Sequence, residues 1–363
     1  MKGVNVNIAV LRLFASFGVI CLHTFGAQAT LVDDVCSYII WYAFAFAIPI
    51  FFSTSGYFSL NKKSDCKNVY KKILNIFIFL LAWGVLYTVS QILVQMLIGK
   101  KIHVAFLLTE PLKLVMLSLV QEGFFSRFWF FGAFMIVLAI TPFFSKIFKK
   151  TKGAIISTIV LSVISLLSNI ANYIYIYIYN ASIYSYEENP WFRQTFKIWI
   201  FMMYFAWGGL LAKEEVKVFI KRILPKKQYA ILVFVIFSII SVVHQFWIGK
   251  YMERNSPEYW HDSPIVIIQV VMLLVINTTY NEKISKNRII HVIAENGLGI
   301  YALHTIVQKI LLKIIEPSSF LNLCILSLLI FLLSFVGATI LNRIPILKIL
   351  VNLNGIGWRR KRG

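Results

Sequence analysis

Apolar runs close to 20 residues long recur down the whole chain, and short polar breaks separate them. Ten such runs fall near residues 6–26, 37–60, 73–98, 127–147, 153–179, 196–212, 229–249, 263–280, 296–315 and 321–341. A helix needs about 20 mostly apolar residues to cross a ~30 Å hydrocarbon core. The pattern therefore predicts an all-α polytopic integral membrane protein with about ten transmembrane helices. The run at 196–212 is short and predicts tilt or an earlier start. One transmembrane domain over 1–341 and a basic cytoplasmic tail over 342–363 are the expected organisation.

Two stretches between runs depart from a plain loop. Residues 103–121 are apolar but contain Glu110, Pro111 and Lys113. An interfacial or re-entrant helix is expected there, because another span would invert every later loop. Residues 172–180 read NYIYIYIYN. Alternation is a strand signal, but the segment ends the fifth run, where tyrosines anchor a helix at the membrane interface; stacking on a sugar is the minority reading. The terminal WRRKRG is expected to lie against the membrane surface. Ala27-Gln28-Ala29 resembles a leader cleavage site, yet Arg12 interrupts the apolar region before it, so a retained first span is expected.

Composition narrows the class. The chain has 363 residues, of which 59% are hydrophobic and only 14% charged, with a mean hydropathy of +0.77. So few polar residues do not cover a water-facing surface. The net charge is +21. In a soluble protein that excess suggests nucleic acid, but no basic-aromatic nucleic-acid motif is present, and basic loops facing anionic lipid account for it. With the N-terminus inside, 25 of the 36 Lys and Arg fall in cytoplasmic segments and six in outer ones. That asymmetry predicts N-in and C-in. Cys21, Cys36, Cys66 and Cys324 have no paired spacing and read as small apolar fillers. Without HExxH, a Walker loop or GxGxxG, no metal, nucleoside triphosphate or NAD site is expected.

Ionisable residues inside a bilayer are costly and concentrate where function is. The first run holds two, Arg12 and His23. Eleven residues apart on a helix, they lie within roughly 20° of one face and about 16 Å apart along the axis. One face thus carries a permanent cation toward the cytoplasm and an imidazole toward the outside. Alone, Arg12 reads as snorkelling to headgroups and His23 as an interfacial histidine; sharing a face makes the pair a candidate site. His103, His244, His261 and His291 sit at predicted loop edges, and Glu110, Glu122 and Glu295 lie away from the membrane centre.

The Arg-x10-His arrangement resembles the signature of membrane-bound acyltransferase family 3. Three further segments are similar to that family's pattern, in order. They are PIFFSTSGYFSL from Pro49 to Leu60, Phe128-Trp129-Phe130-Phe131 with the trailing Pro142, and GLGIYALH from Gly297 to His304. Together they cover about 340 residues. The chain departs from the pattern in two places. Lys62, Lys63, Lys67, Lys71 and Lys72 follow the second run where the family often has arginines, and Gly297-Leu298 replaces its usual serine.

The resemblance implies transfer of an acyl group, usually acetyl from acetyl-CoA, to a hydroxyl, often of a cell-envelope sugar or lipid-linked glycan precursor, at the plasma membrane. CoA would be a substrate, not a resident cofactor. On that basis Arg12 with Lys71 and Lys72 would hold CoA phosphates, and His23 would be the general base, its ordinary pKa of about 6.5 suiting the task. Ser55 beside Gly56 is a candidate oxyanion donor, or equally a serine bonded to its own helix. Tyr301 and His304, three residues apart, either line the same cavity or pack in the core. Trp129 either positions substrate or joins Arg127 as an interface anchor. The rival reading is a secondary transporter or glycan exporter using an intramembrane Arg/His relay, though no pair of inverted repeats with broken helices is apparent.

Overall fold

A computed structural model describes residues 4–28, 35–62, 65–97, 104–179, 182–183, 193–251, 261–280, 284–285 and 287–353. Lys63, His103 and the WRRKRG end lie outside them. Thirteen α-helices are described, and the protein is an all-α polytopic membrane protein. Among the described residues, seven helical segments are long and apolar enough to cross a bilayer: Val6–Gly26, Val35–Ser59, Cys66–Leu97, Ser126–Ile147, Thr151–Tyr179, Lys227–Ile248 and Phe320–Arg343. Two further apolar helices, Ile198–Leu211 and Pro264–Thr278, are shorter. The remaining expected run lies in Arg288–Leu311, which is long enough but carries Arg288, His291, Glu295 and Lys309.

The chain begins with α1 (Val6–Gln28), preceded by a two-residue antiparallel pairing of Val4–Asn5 with Ile284–Ser285. The second run is two helices, α2 (Val35–Ala43) and α3 (Ala47–Ser59). Pro49 explains the break. Its ring has no N–H for the carbonyl four residues back and crowds it. That carbonyl belongs to Ala45, and it accepts Nδ1 of His261 at 3.0 Å instead. Burial holds the His261 imidazole down to about 3, so it serves as a neutral donor there.

The third run is α4 (Cys66–Leu97), which starts seven residues before the expected apolar stretch and so carries Lys67, Lys71 and Lys72 on its first turns. Next come α5 (Val104–Leu119), packed on α4 and α6, then α6 (Trp129–Ile147) and α7 (Thr151–Tyr179). The tyrosine-rich end of α7 is helical, with no strand. Helix α8 (Ile198–Leu211) is only 14 residues long, about 21 Å. Eleven of those residues are buried, so protein rather than lipid surrounds it.

A short helix α9 (Glu214–Ile223) has two acidic residues in its first turn and Lys221 and Arg222 in its last, matching the helix dipole. It leads to α10 (Lys227–Tyr251), α11 (Pro264–Thr278), α12 (Arg288–Leu311) and α13 (Phe320–Arg343). After α13 the chain turns inward. Leu350 is buried, and its carbonyl accepts the indole N–H of Trp83 on α4 at 3.0 Å.

The tightest crossing joins α3 to α8, and glycine makes it possible. A Cβ on Gly56 would stand 1.9 Å from the Phe205 carbonyl oxygen, and one on Gly208 would stand 1.7 Å from that of Ser53. The two backbones touch at both points, which a side chain at either would forbid. Phe52 and Phe201 stack beside this crossing at 4.4 Å, both fully buried.

Candidate functional site

Four helices converge on one polar seam, and helical spacing explains which residues face it. Helix α12 presents His291, Glu295, Leu298 and Tyr301, then His304 and Gln308, at steps of three and four. Helix α1 presents Ala9 and Arg12, and three turns later His23. Helix α3 contributes Phe51, Ser55 and Phe58, and α6 contributes Phe130 and Phe134. Between them lies a cavity of about 410 Å³ lined in part by Arg12, Ser55, Phe130, Glu295 and Tyr301. That volume suits a small organic ligand. Asn352 and Leu353 line it too, so the inward turn after α13 closes one wall. The Leu353 carbonyl accepts from Asn75 of α4 at 3.2 Å.

One end of the seam is cationic. Arg12 donates through Nε to Thr54 Oγ1 at 2.8 Å, and its guanidinium stands 5.6 Å from the centre of the Phe58 ring. The Lys62 ammonium lies over the same ring at 5.9 Å, a cation–π geometry. Lys72 is close enough to Lys62 for their charges to interact. Lys71 and Lys72 lie one turn before Asn75 on α4, beside the wall that Leu353 forms, and neither is among the residues lining the cavity.

The other end is a cluster of neutral polar groups and one arginine. The His23 and His304 rings stack at 5.4 Å with only 12° between their planes. His304 is fully buried, and its Nδ1 meets the Tyr301 carbonyl, while Nε2 lies 3.5 Å from Thr305 Oγ1. A carbonyl only accepts, so Nδ1 carries the proton and Nε2 the lone pair. Gln308, also buried, donates Nε2 to the His23 carbonyl at 3.0 Å and accepts from Arg127 Nη1. Tyr301 donates its hydroxyl to the Arg127 carbonyl at 2.6 Å.

Aromatic rings separate the two ends. Tyr301 contacts Phe130 at 5.4 Å, Phe131 at 5.6 Å and Phe51 at 6.4 Å on one side, and His304 at 5.5 Å on the other. The cavity stops at this layer; His23 and His304 are not among its lining residues.

The residues singled out in the sequence are thus dealt with unequally. Arg12, Ser55 and Tyr301 line the cavity, and His23 and His304 stack behind it. Ser55 gives its hydroxyl to the Phe51 carbonyl at 2.7 Å, a bond within its own helix. Trp129 is buried against Phe201 at 5.6 Å and does not reach the cavity. His291, expected at a loop edge, and Glu295, expected away from the membrane centre, line the cavity because α12 begins eight residues before its apolar run. Gln308 carried no signal of its own. Lying four residues after His304 and seven after Tyr301 on one helix, it shares their face.

Fold and site together define a polytopic membrane protein with a cavity and a cluster of polar groups held among its helices. The chain matches the sequence model of acyltransferase family 3, an acyltransferase domain, over residues 5–343. It belongs to that family and is a membrane acyltransferase. No curated protein and no solved structure matches it.

Proposed function

We propose that the protein is an O-acetyltransferase of the plasma membrane, moving acetyl from acetyl-CoA to a hydroxyl of a cell-envelope sugar or lipid-linked glycan precursor. The observation that carries this reading is the seam itself: a ligand-sized cavity with cations at one end and a stacked imidazole pair beyond its aromatic end. CoA offers phosphates at one end and a thioester at the other, joined by a slender arm. In this reading Arg12, helped by Lys71 and Lys72, takes the phosphates. The roughly 16 Å from Arg12 to His23 is spanned by the pantetheine arm. Passage past Tyr301 requires the aromatic layer to part.

His23 then acts as general base. The acceptor oxygen attacks the thioester carbon while its proton passes to the imidazole; the carbon–sulfur bond breaks, and the proton leaves with CoA as the thiol. The cationic end faces the cytoplasm, where the N- and C-termini also lie. Native cysteines test that orientation. Cys36 and Cys66 are both exposed, and the proposed orientation puts them on opposite sides of the membrane. In intact cells an impermeant maleimide should label a variant keeping only Cys36 and leave one keeping only Cys66 unlabelled; the reverse pattern would invert the site.

The activity is tested with the full chain purified in detergent, without any gradient. Labelled acetyl-CoA and a simple glycoside should yield acetyl ester and free thiol. A wild-type chain that binds acetyl-CoA but releases no thiol would point away from acyl transfer and toward transport.

A further inference from the structure

We infer that Arg127 is a catalytic residue of the acyl transfer, supplying the positive charge that receives the oxyanion formed when the acceptor attacks the thioester. This rests on the acyl-transfer reading above. Sequence alone placed Arg127 at a span end, where an interface anchor is expected. The structure ties it to one neighbouring helix, α12, at two points, through its backbone carbonyl and through its guanidinium.

Arg127 sits in the 3-10 turn Ser126–Phe128 that opens α6. Its carbonyl takes the Tyr301 hydroxyl, and its guanidinium gives Nη1 to Gln308 Oε1. Gln308 is only 1% exposed. A guanidinium only donates, so the Gln308 amide has a single consistent orientation, with Nε2 toward the His23 carbonyl. One side-chain amide therefore spans from the arginine to the backbone of the proposed base. A headgroup anchor needs none of these contacts.

The chemistry requires such a group. As the acceptor oxygen bonds to the thioester carbon, the hydroxyl proton goes to His23 and the carbonyl π pair moves onto oxygen. When the carbonyl re-forms, the carbon–sulfur bond breaks and the thiolate takes the proton back from the imidazolium. Negative charge rests on the former carbonyl oxygen only between these events. A fixed cation there stabilises the transition state more than the ground state. Arginine keeps its charge throughout. Ser55, the other candidate for this task, spends its hydroxyl on the Phe51 carbonyl.

The test uses the full chain in detergent with acetyl-CoA and methyl glucoside as probes, following thiol release and, separately, acetyl-CoA binding. Arg127→Gln should lower turnover about 10²–10³-fold and leave acetyl-CoA affinity within about threefold. Arg127→Lys should recover part of the loss, and millimolar methylguanidinium should partly restore Arg127→Ala, which repair of a merely structural defect would not do. Should the Arg127 variants fail to fold, Gln308→Met decides: it keeps the charge but frees it, and turnover should fall about tenfold with binding unchanged. Full turnover in a folded Arg127→Gln or Gln308→Met protein overturns the assignment while wild-type transfer stands. A wild-type chain that releases no thiol overturns the acyl-transfer reading first.

Discussion

Two membrane-sized helices show how differently similar apolar sequences are used. In Val6–Gly26, 67% of the most apolar window is buried in the protein; in Lys227–Ile248, the figure is 11%. Both satisfy the length and hydropathy that a bilayer demands. What separates them is the polar residues they carry. Helix α1 bears Arg12, Ser16 and His23, which need partners, and it sits where α3, α11, α12 and α13 surround it. Helix α10 turns Leu232, Ile239 and Val243 outward and keeps the polar Ser238, Ser241 and Gln245 of its middle on the inner side, where Ser238 accepts from Gln269 of α11 at 3.1 Å. Hydropathy places a helix in the membrane, and the cost of leaving polar groups in lipid places it in the bundle.

The sharpest way to test that contrast is at His23. His23→Ala and His23→Asn should each cut acetyl transfer by about 10²–10⁴, with acetyl-CoA binding nearly unchanged, since the base acts on turnover. Transfer and binding assays on protein at matched expression check this. Near-normal transfer by either variant would pass the role of base to His304.

Next in size is the crossing that frames the cavity. Gly208→Ala places a methyl 1.7 Å from the Ser53 oxygen, and separating the helices should cost about 3 kcal/mol. Thermal melting followed by size-exclusion chromatography should show a clear drop; an unshifted melting temperature would mean α3 and α8 are less tightly joined than described. Arg12→Ala should weaken acetyl-CoA binding about 10–100-fold, as loss of charged hydrogen bonds does. Arg12→Lys should recover it only partly, lacking the fork that grips phosphate. Calorimetric titration distinguishes the two, and equal binding in all three proteins would return Arg12 to a headgroup contact. The smallest effect belongs to the periphery: Ile239→Ala, 60% exposed, should change stability by no more than about 0.5 kcal/mol and leave transfer unaltered.

Much of the fold was legible because it is written in local pattern. Run length located the long helices, and the tyrosine-rich end of α7 is helical as its position implied. Three features depended on tertiary contact and were not legible. The break between α2 and α3 needs Pro49 and also His261, which receives the carbonyl that Pro49 displaces from helical bonding. Helix α9 lies in a stretch read only as a basic loop; its face toward α8, including Val216 and Ile220, gains meaning once that neighbour is in place. At the site, Arg12 and His23 share a helix, so spacing alone paired them. Arg127 and Gln308 are 181 residues apart, and only the approach of α6 to α12 brings them together.

The ring of Phe51, Phe130, Phe131 and Tyr301 between the cavity and the histidines has a consequence for the cell as a whole. With the orientation proposed here, a water-accessible chamber on one side and titratable rings on the other would together form most of a proton wire. Such a wire would drain the electrochemical gradient whenever the enzyme stood idle. Four rings, each within 6.4 Å of at least two of the others, are too greasy to hold a continuous file of water. On the proposed acyl-CoA reading, the layer that an incoming thioester would push aside would also, in its absence, be the insulation that lets a cell keep such a catalyst in an energised membrane.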